Sequence, residues 1–332
     1  MEETIRKLYE ERLKRWVTTT ANRQPDRIPV GSLVTSWAYY YAGKKPRDYF
    51  NDPELHKNIV RKTFTDFYWD SVLGSTRPGK MFPQSAIDIL DGGVYEYNSE
   101  GISQTKPHAT TIMEREEYVE LIKDPYAFIL DKVLPRRYGL FRREDEQKYN
   151  DFRVAMQDIN VAFERNKQED DIAKEEFGIV QNRAVVMYNP VDMILDYLRD
   201  FSDILGDIKR KPEYVRDAGI SLVNLCLDYI PNITPKDNKY VFIPMHLPQF
   251  LNRKDFEKVY LPSFKMIVDA LSSKGLTAMY YSERKYEHLF DYLKELPNGL
   301  TVGLFEGDDI RLVKKELGGN MCIRRRHACK SA

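Results

Sequence analysis

Apolar residues recur every three or four positions over 2–16, where Ile5, Leu8, Tyr9, Leu13 and Trp16 fall on one side of a helix. That spacing predicts an amphipathic opening helix. Residues 28–34 (Ile-Pro-Val-Gly-Ser-Leu-Val) form a short β-rich run with its proline near the start, where a missing N–H is tolerated, and they predict the first strand. A second strand is predicted at 69–73, ahead of the turn-rich residues 74–80. From 113 to about 177 the pattern is mainly helical, and its charged stretch at 164–176 reads as a solvated helix face.

The later half has a more regular rhythm. Strands predicted at 185–188, 240–245, 277–281 and 301–305, and one beginning at 321, are interleaved with helical patterns over 191–205, 212–229, 255–272 and 310–317. Gly275 and the pair Gly318-Gly319 serve as stop signals. Short buried-type strands alternating with helices imply βαβ units and a parallel sheet. The predicted strands number seven, near 28, 70, 185, 240, 277, 301 and 321; a closed (β/α)8 barrel has eight.

Composition narrows the classes of partner. Lys plus Arg equals Asp plus Glu at 51 each over 332 residues, so no global field favours nucleic acid or an anionic membrane surface. A small-molecule substrate or another protein is the expected partner. Cys226, Cys322 and Cys329 are too few for a disulfide framework and suit a reducing compartment. The opening MEETIRKLYEERLKRW has no apolar stretch fit for a signal peptide, and no run approaches the ~18 apolar residues of a membrane span. A cytoplasmic location is expected, with no membrane and no nucleic acid partner.

Five segments carry a family resemblance. They are DRIPV (26–30), EREEYVELIKDPYAFI (114–129), NPVDMILDYLRDFSDILGDIKRKPEYV (189–215), IPMHLPQFLNRKDFEKVYLPSFKMIVDAL (243–271) and YEHLFDYLKELPNGLTVGLFEGDDIRLVKKELGGNMCI (286–323). In this order they resemble the uroporphyrinogen decarboxylase superfamily, which includes the haem-pathway decarboxylase and the corrinoid or coenzyme M methyltransferases. The resemblance implies an α/β fold, a TIM-type (β/α)8 barrel occupying 1–332 as one domain, with 1–25 an N-terminal helical segment and 324–332 a divergent tail. The decarboxylase carries an arginine-rich segment where this chain has SWAYYYAGKKP (36–46), which argues against the haem-pathway substrate. The methyltransferase branch holds zinc on a His-x-Cys pair and a further Cys; the matching positions here are Tyr281 and Glu283, so zinc is not supported and no metal ligands are assigned.

Barrel active sites lie where strands end at their C-termini. His246 follows the strand at 240–245 and can exchange a proton near neutral pH; its alternative role is to bond a neighbouring backbone carbonyl. Glu283 follows the strand at 277–281, and Glu306 and Asp308 follow that at 301–305. Carboxylates gathered on one rim raise one another's pKa and suit a general acid, a hard metal or an amine. His246, Glu283 and Glu306 are therefore the expected catalytic residues. Asp308, Tyr281, Asp192, Gln104 and Lys80 are the expected substrate-binding residues. Asp309 directly precedes Ile310 and is assigned to capping; Asp192 and Arg199, seven apart on a predicted helix, share a face, with Arg199 structural. Residues 74–80 nearly spell a phosphate loop, but Met81 replaces the hydroxyl that Mg²⁺ needs. Nucleotide hydrolysis is rejected.

After residue 323 the family pattern is lost and the chain reads RRRHACKSA. The expectation is a barrel lacking its last βα unit, whose open strand edges would favour association into a homodimer. The expected function is a methyltransferase-like enzyme with a corrinoid (methylcobalamin) as possible co-substrate and a corrinoid protein as possible partner. Alternatives are decarboxylation of uroporphyrinogen or a related carboxylate, as in porphyrin biosynthesis, and a non-catalytic binding barrel.

Overall fold

The structure, a computed structural model, describes residues 2–50, 52–75, 83–106, 111–228, 230 and 232–325. The chain is mixed α/β and divides into two compact units: Met1–Trp16, Arg27–Ala109 and Leu130–Asn182 form the first, and Val17–Asp26, Thr110–Ile129 and Arg183–Ala332 the second. Among the described residues no helix is long and apolar enough to cross a membrane.

In the first unit, β1 (Gly31–Val34), β2 (Ser71–Ser75) and β5 (Val180–Gln181) form a parallel sheet in that order. The helix Pro53–Asp66 joins β1 to β2. It starts where Asp52 accepts from the amides of Glu54 and Leu55 at 3.1 and 3.2 Å, with a proline at its first turn. Its apolar face, Ile59, Val60 and Phe64, packs with Val72 and Ile179. The helix Gln147–Phe177 ends at Gly178, whose φ of 61° lies in the left-handed region. Asp70, fully buried ahead of β2, is held by Arg15 at 2.8 Å, Arg27 at 2.7 Å and the Val30 amide at 2.7 Å. The antiparallel hairpin of β3 (Tyr95–Tyr97) and β4 (Ser103–Thr105) also belongs here.

The second unit carries β6 (Arg183–Val186), β7 (Tyr240–Met245), β8 (Thr277–Ser282), β9 (Thr301–Phe305) and β10 (Cys322–Arg325). They form one parallel sheet in the order β10-β9-β8-β7-β6, so consecutive strands in the chain are neighbours in space. Each connection is helical, as parallel pairing requires. The central strands β7, β8 and β9 are near-continuous apolar runs; every residue of β9 is buried. Gly303 is packed so closely that an added Cβ would come within 2.5 Å of the Phe305 ring and 2.8 Å of the Met321 sulfur. Gly303→Ala is therefore expected to cost about 1–3 kcal/mol by overpacking, read as a lower midpoint in urea with an unchanged slope.

Several expectations need correction. The helical pattern over 191–205 is two helices, Pro190–Tyr197 and Phe201–Arg210, the second capped by Asp200, which accepts from the Asp203 amide at 2.8 Å. Arg199 therefore shares no helix face with Asp192. Instead it is buried against Asp207 at 3.0 Å and donates to the Met113 carbonyl, while Arg115 meets the same Asp207 at 2.6 Å. Two features had no counterpart in the sequence reading: the β3–β4 hairpin and β5, which only Asn182 separates from β6 in the chain.

Candidate functional site

The C-terminal ends of β7, β8 and β9 gather the polar residues of the second unit. His246 follows Met245 at the end of β7, and its Nδ1 lies 2.8 Å from the Asp196 carboxylate. The Nε2 of the same ring lies 3.6 Å from Glu283, one residue past the end of β8. The imidazole thus bridges two carboxylates on different elements, and Nε2 is the atom left for a reactant.

The main chain under His246 is held as firmly as its ring. Asp192 is fully buried; one carboxylate oxygen accepts from the amides of His246 at 3.2 Å and Leu247 at 2.8 Å, and the other accepts from the Tyr260 hydroxyl at 2.6 Å. The buried Tyr286 hydroxyl donates to the Met245 carbonyl at 2.5 Å. The Tyr286 amide is fixed in turn by Asp308, which accepts from it at 3.0 Å and from the Glu287 amide at 3.1 Å. Such support leaves the imidazole little freedom to reorganise.

Electrostatics follow from this geometry. Burial disfavours the imidazolium, but the Asp196 hydrogen bond and the charges of Asp196, Asp192 and Glu283 outweigh it and raise His246 to about 9. At neutral pH the ring is a proton donor. Burial likewise raises the Asp192 carboxyl to about 7, against the opposing pull of His246 and the Tyr260 hydroxyl.

The expected site residues fare differently. His246 and Glu283 are brought together, and Glu306 is joined to the row by the Tyr281 hydroxyl, which donates to its carboxylate. Asp192 is present but faces the backbone from beneath, fully buried, so its place is support. Asp308 is buried and committed to two amides. Asp309 caps the helix Ile310–Leu317 through the Arg311 amide at 2.9 Å. Gln104 lies on β4 in the first unit and donates to Glu96 across the hairpin at 2.8 Å. Lys80 lies outside the described residues, as do Cys329 and most of the near-phosphate-loop stretch.

Sequence reasoning missed Asp196. The available signal was its spacing of four from Asp192 on one helix, which puts both carboxylates on the same face. The Tyr188 ring flanks the imidazole, its centroid 6.4 Å from that of His246, and packs in turn on Tyr197 at 5.1 Å.

No protein-family model matches this chain. No curated protein matches it in sequence. Among the described residues no group of three or more His, Cys, Asp or Glu is placed to hold a metal ion. Tyr281 offers no thiolate or imidazole, and its hydroxyl is turned to Glu306. The described cysteines are buried on the helix Val223–Leu227 and at the start of β10, with burial raising both thiols, to about 12 and about 11. Among the described residues, these buried thiols do not make the donor set of a zinc-thiolate centre.

Proposed function

We propose that the strand ends of the second unit form the reaction site of an enzyme similar to the uroporphyrinogen decarboxylase superfamily, acting in methyl transfer to or from a corrinoid or small acceptor. The single observation behind this reading is His246, charged and clamped at Nδ1 by Asp196, presenting Nε2–H beside Glu283. Support for a (β/α)8-type barrel as the scaffold comes from parallel strands that follow chain order in each sheet and from helical connections.

A methyl group leaves a heteroatom with the bonding pair staying on that heteroatom, and a proton delivered there makes it a better leaving group. His246 Nε2 supplies that proton, and Asp196 stabilises the ring's charge before transfer. In this direction the corrinoid is the substrate that takes the methyl with its own electron pair; in the reverse direction methylcobalamin gives the methyl to the heteroatom, the electron pair stays with the corrinoid, and the deprotonated Nε2 of His246 removes the heteroatom's proton. Zinc has no part in this reading.

The same proton donor also favours a second reading, decarboxylation, in which the carbanion left by departing carbon dioxide takes the proton. The row of Glu283 and Glu306 weighs against a polycarboxylate such as uroporphyrinogen, because like charges would meet at the reacting end. Incubation with methylcobalamin and candidate acceptors, followed by the corrin absorption spectrum, tests the first reading. Carbon dioxide release without a spectral change would replace it with the second, and neither signal would leave a binding protein.

A further inference from the structure

Past the end of β8 the chain presents a cation that the proposed reaction does not use. Glu283 contacts His246 Nε2 at 3.6 Å, and Arg284 follows it directly. Consecutive Cα atoms stand about 3.8 Å apart across a trans peptide, so the backbone that carries this guanidinium is part of the candidate site. The loop is fixed at both ends. The Glu306 amide donates to the Ser282 carbonyl at 3.1 Å, and Asp308 accepts from the amides of Tyr286 and Glu287 at 3.0 and 3.1 Å. Gly307 packs against the Arg284 main chain so closely that an added Cβ would come within 2.5 Å of the Arg284 carbonyl carbon.

The Arg284 side chain is exposed, and among the described residues it has no hydrogen bond and no ion pair. Arg253 and Arg311 of the same unit are paired, with Asp291 at 3.0 Å and Asp309 at 2.7 Å. What Arg284 does meet is a ring: its Cζ lies 5.9 Å from the centroid of Phe250. Phe250 ends the short turn Pro248–Phe250 that follows His246, and Gln249 beside it donates to the His246 carbonyl at 2.8 Å. Phe250 is 43% exposed and packs edge-on against Phe201, 42% exposed, at 4.6 Å between ring centroids. One rim thus offers an anion a guanidinium with no carboxylate of its own, and offers an apolar body two phenyl rings open to solvent.

We propose that Arg284, with Phe250 and Phe201, is the subsite for the non-reacting end of the substrate, and that the substrate is an aromatic monocarboxylate. The carboxylate pairs with the planar guanidinium fork, and the aromatic body lies on the phenyl rings, which favour offset or edge-on ring contacts. The inference rests on the reading of these strand ends as the reaction site, which sets the reacting atom at His246 Nε2. Arg284 supplies the charge that admits one carboxylate to a rim otherwise holding Glu283 and Glu306. A second carboxylate would meet those glutamates. Because the backbone is already fixed, binding has mainly the arginine side chain to order.

The test is an NMR titration of the full chain, with labelled arginine and histidine side chains, by sodium benzoate at constant ionic strength. Benzoate is expected to shift the Arg284 guanidinium and the His246 imidazole resonances saturably, with one dissociation constant. Sodium acetate, which has the charge without the ring, is expected to bind about tenfold more weakly. Arg284→Gln is expected to weaken benzoate about five- to tenfold, and Phe250→Ala by about fivefold. Thermal unfolding of both variants establishes that they are folded. Equal benzoate affinity in folded Arg284→Gln would overturn the anchor, and acetate binding as tightly as benzoate would overturn the aromatic class. An Arg284 shift with the His246 resonances unmoved would overturn the subsite's place beside the imidazole. Saturable benzoate binding at both residues in a protein that gives no methyl transfer would instead overturn the reaction reading and leave the subsite standing.

Discussion

His246→Gln is expected to lower turnover by about 10²- to 10⁴-fold, the ordinary worth of a positioned general acid, in a chain that still folds cooperatively but loses the imidazolium's contribution to stability near neutral pH. Glutamine retains a side-chain donor, but an amide does not release a proton near neutral pH. The ring is partly exposed, with a hydrogen bond through Nδ1 to Asp196 and an ion-pair contact of Nε2 with Glu283, so its loss leaves the buried Asp192 clamp on the backbone intact. The loss should fall on kcat rather than KM, because proton delivery is an event of the transition state. Turnover preserved in the folded variant would remove His246 from the chemistry.

Asp192→Ala has the largest expected effect on stability, about 3–5 kcal/mol, because two amides and the Tyr260 hydroxyl lose their buried acceptor together. Asp192→Asn behaves differently: its carbonyl can still accept the two amides, and it removes a charge that burial disfavours. The pH dependence has a definite sign. Asp192 is raised to about 7 in the fold, so its favourable contribution is present below the ordinary carboxylate range, near pH ~4, and is lost as pH rises through 7. His246 is raised to about 9, so its contribution is present below pH ~6.5 and is lost as pH rises through 9. Both groups make the chain less stable with rising pH. Denaturant unfolding between these limits should show that decline, and Asp192→Asn should flatten its lower part. An Ala variant as stable as the parent, or a rise in the Asp192 contribution across this range, would contradict the assignment.

The strands that position the site were readable because burial on both faces writes itself as unbroken apolar runs. Tyr240–Met245, Thr301–Phe305 and the helix Ile310–Leu317 fall where the pattern put them. Where local signals competed, boundaries moved. Apolar periodicity runs across Leu198 to Asp200, yet the capping carboxylate of Asp200 starts a new helix, and the two-residue β5 is too short for any period to register. His246 and Glu283 could be nominated from their places just past strand ends. Asp196 could not be matched to His246, because the partners are 50 residues apart and only the packing of helix Pro190–Tyr197 against the end of β7 joins them. Asp308 shows the opposite failure: an acidic residue at a rim looks available until its carboxylate is seen on the amides of Tyr286 and Glu287.

The claim on which the functional reading turns is that His246 is an imidazolium fixed through Nδ1 by Asp196. Nitrogen NMR of the imidazole across pH, in the parent chain and in Asp196→Asn, tests it most directly. The expected result is titration near 9 in the parent and a clear downward shift in the variant, with Nδ1 protonated in the parent's neutral form. Titration near the ordinary histidine value of ~6.5 in both proteins would contradict it.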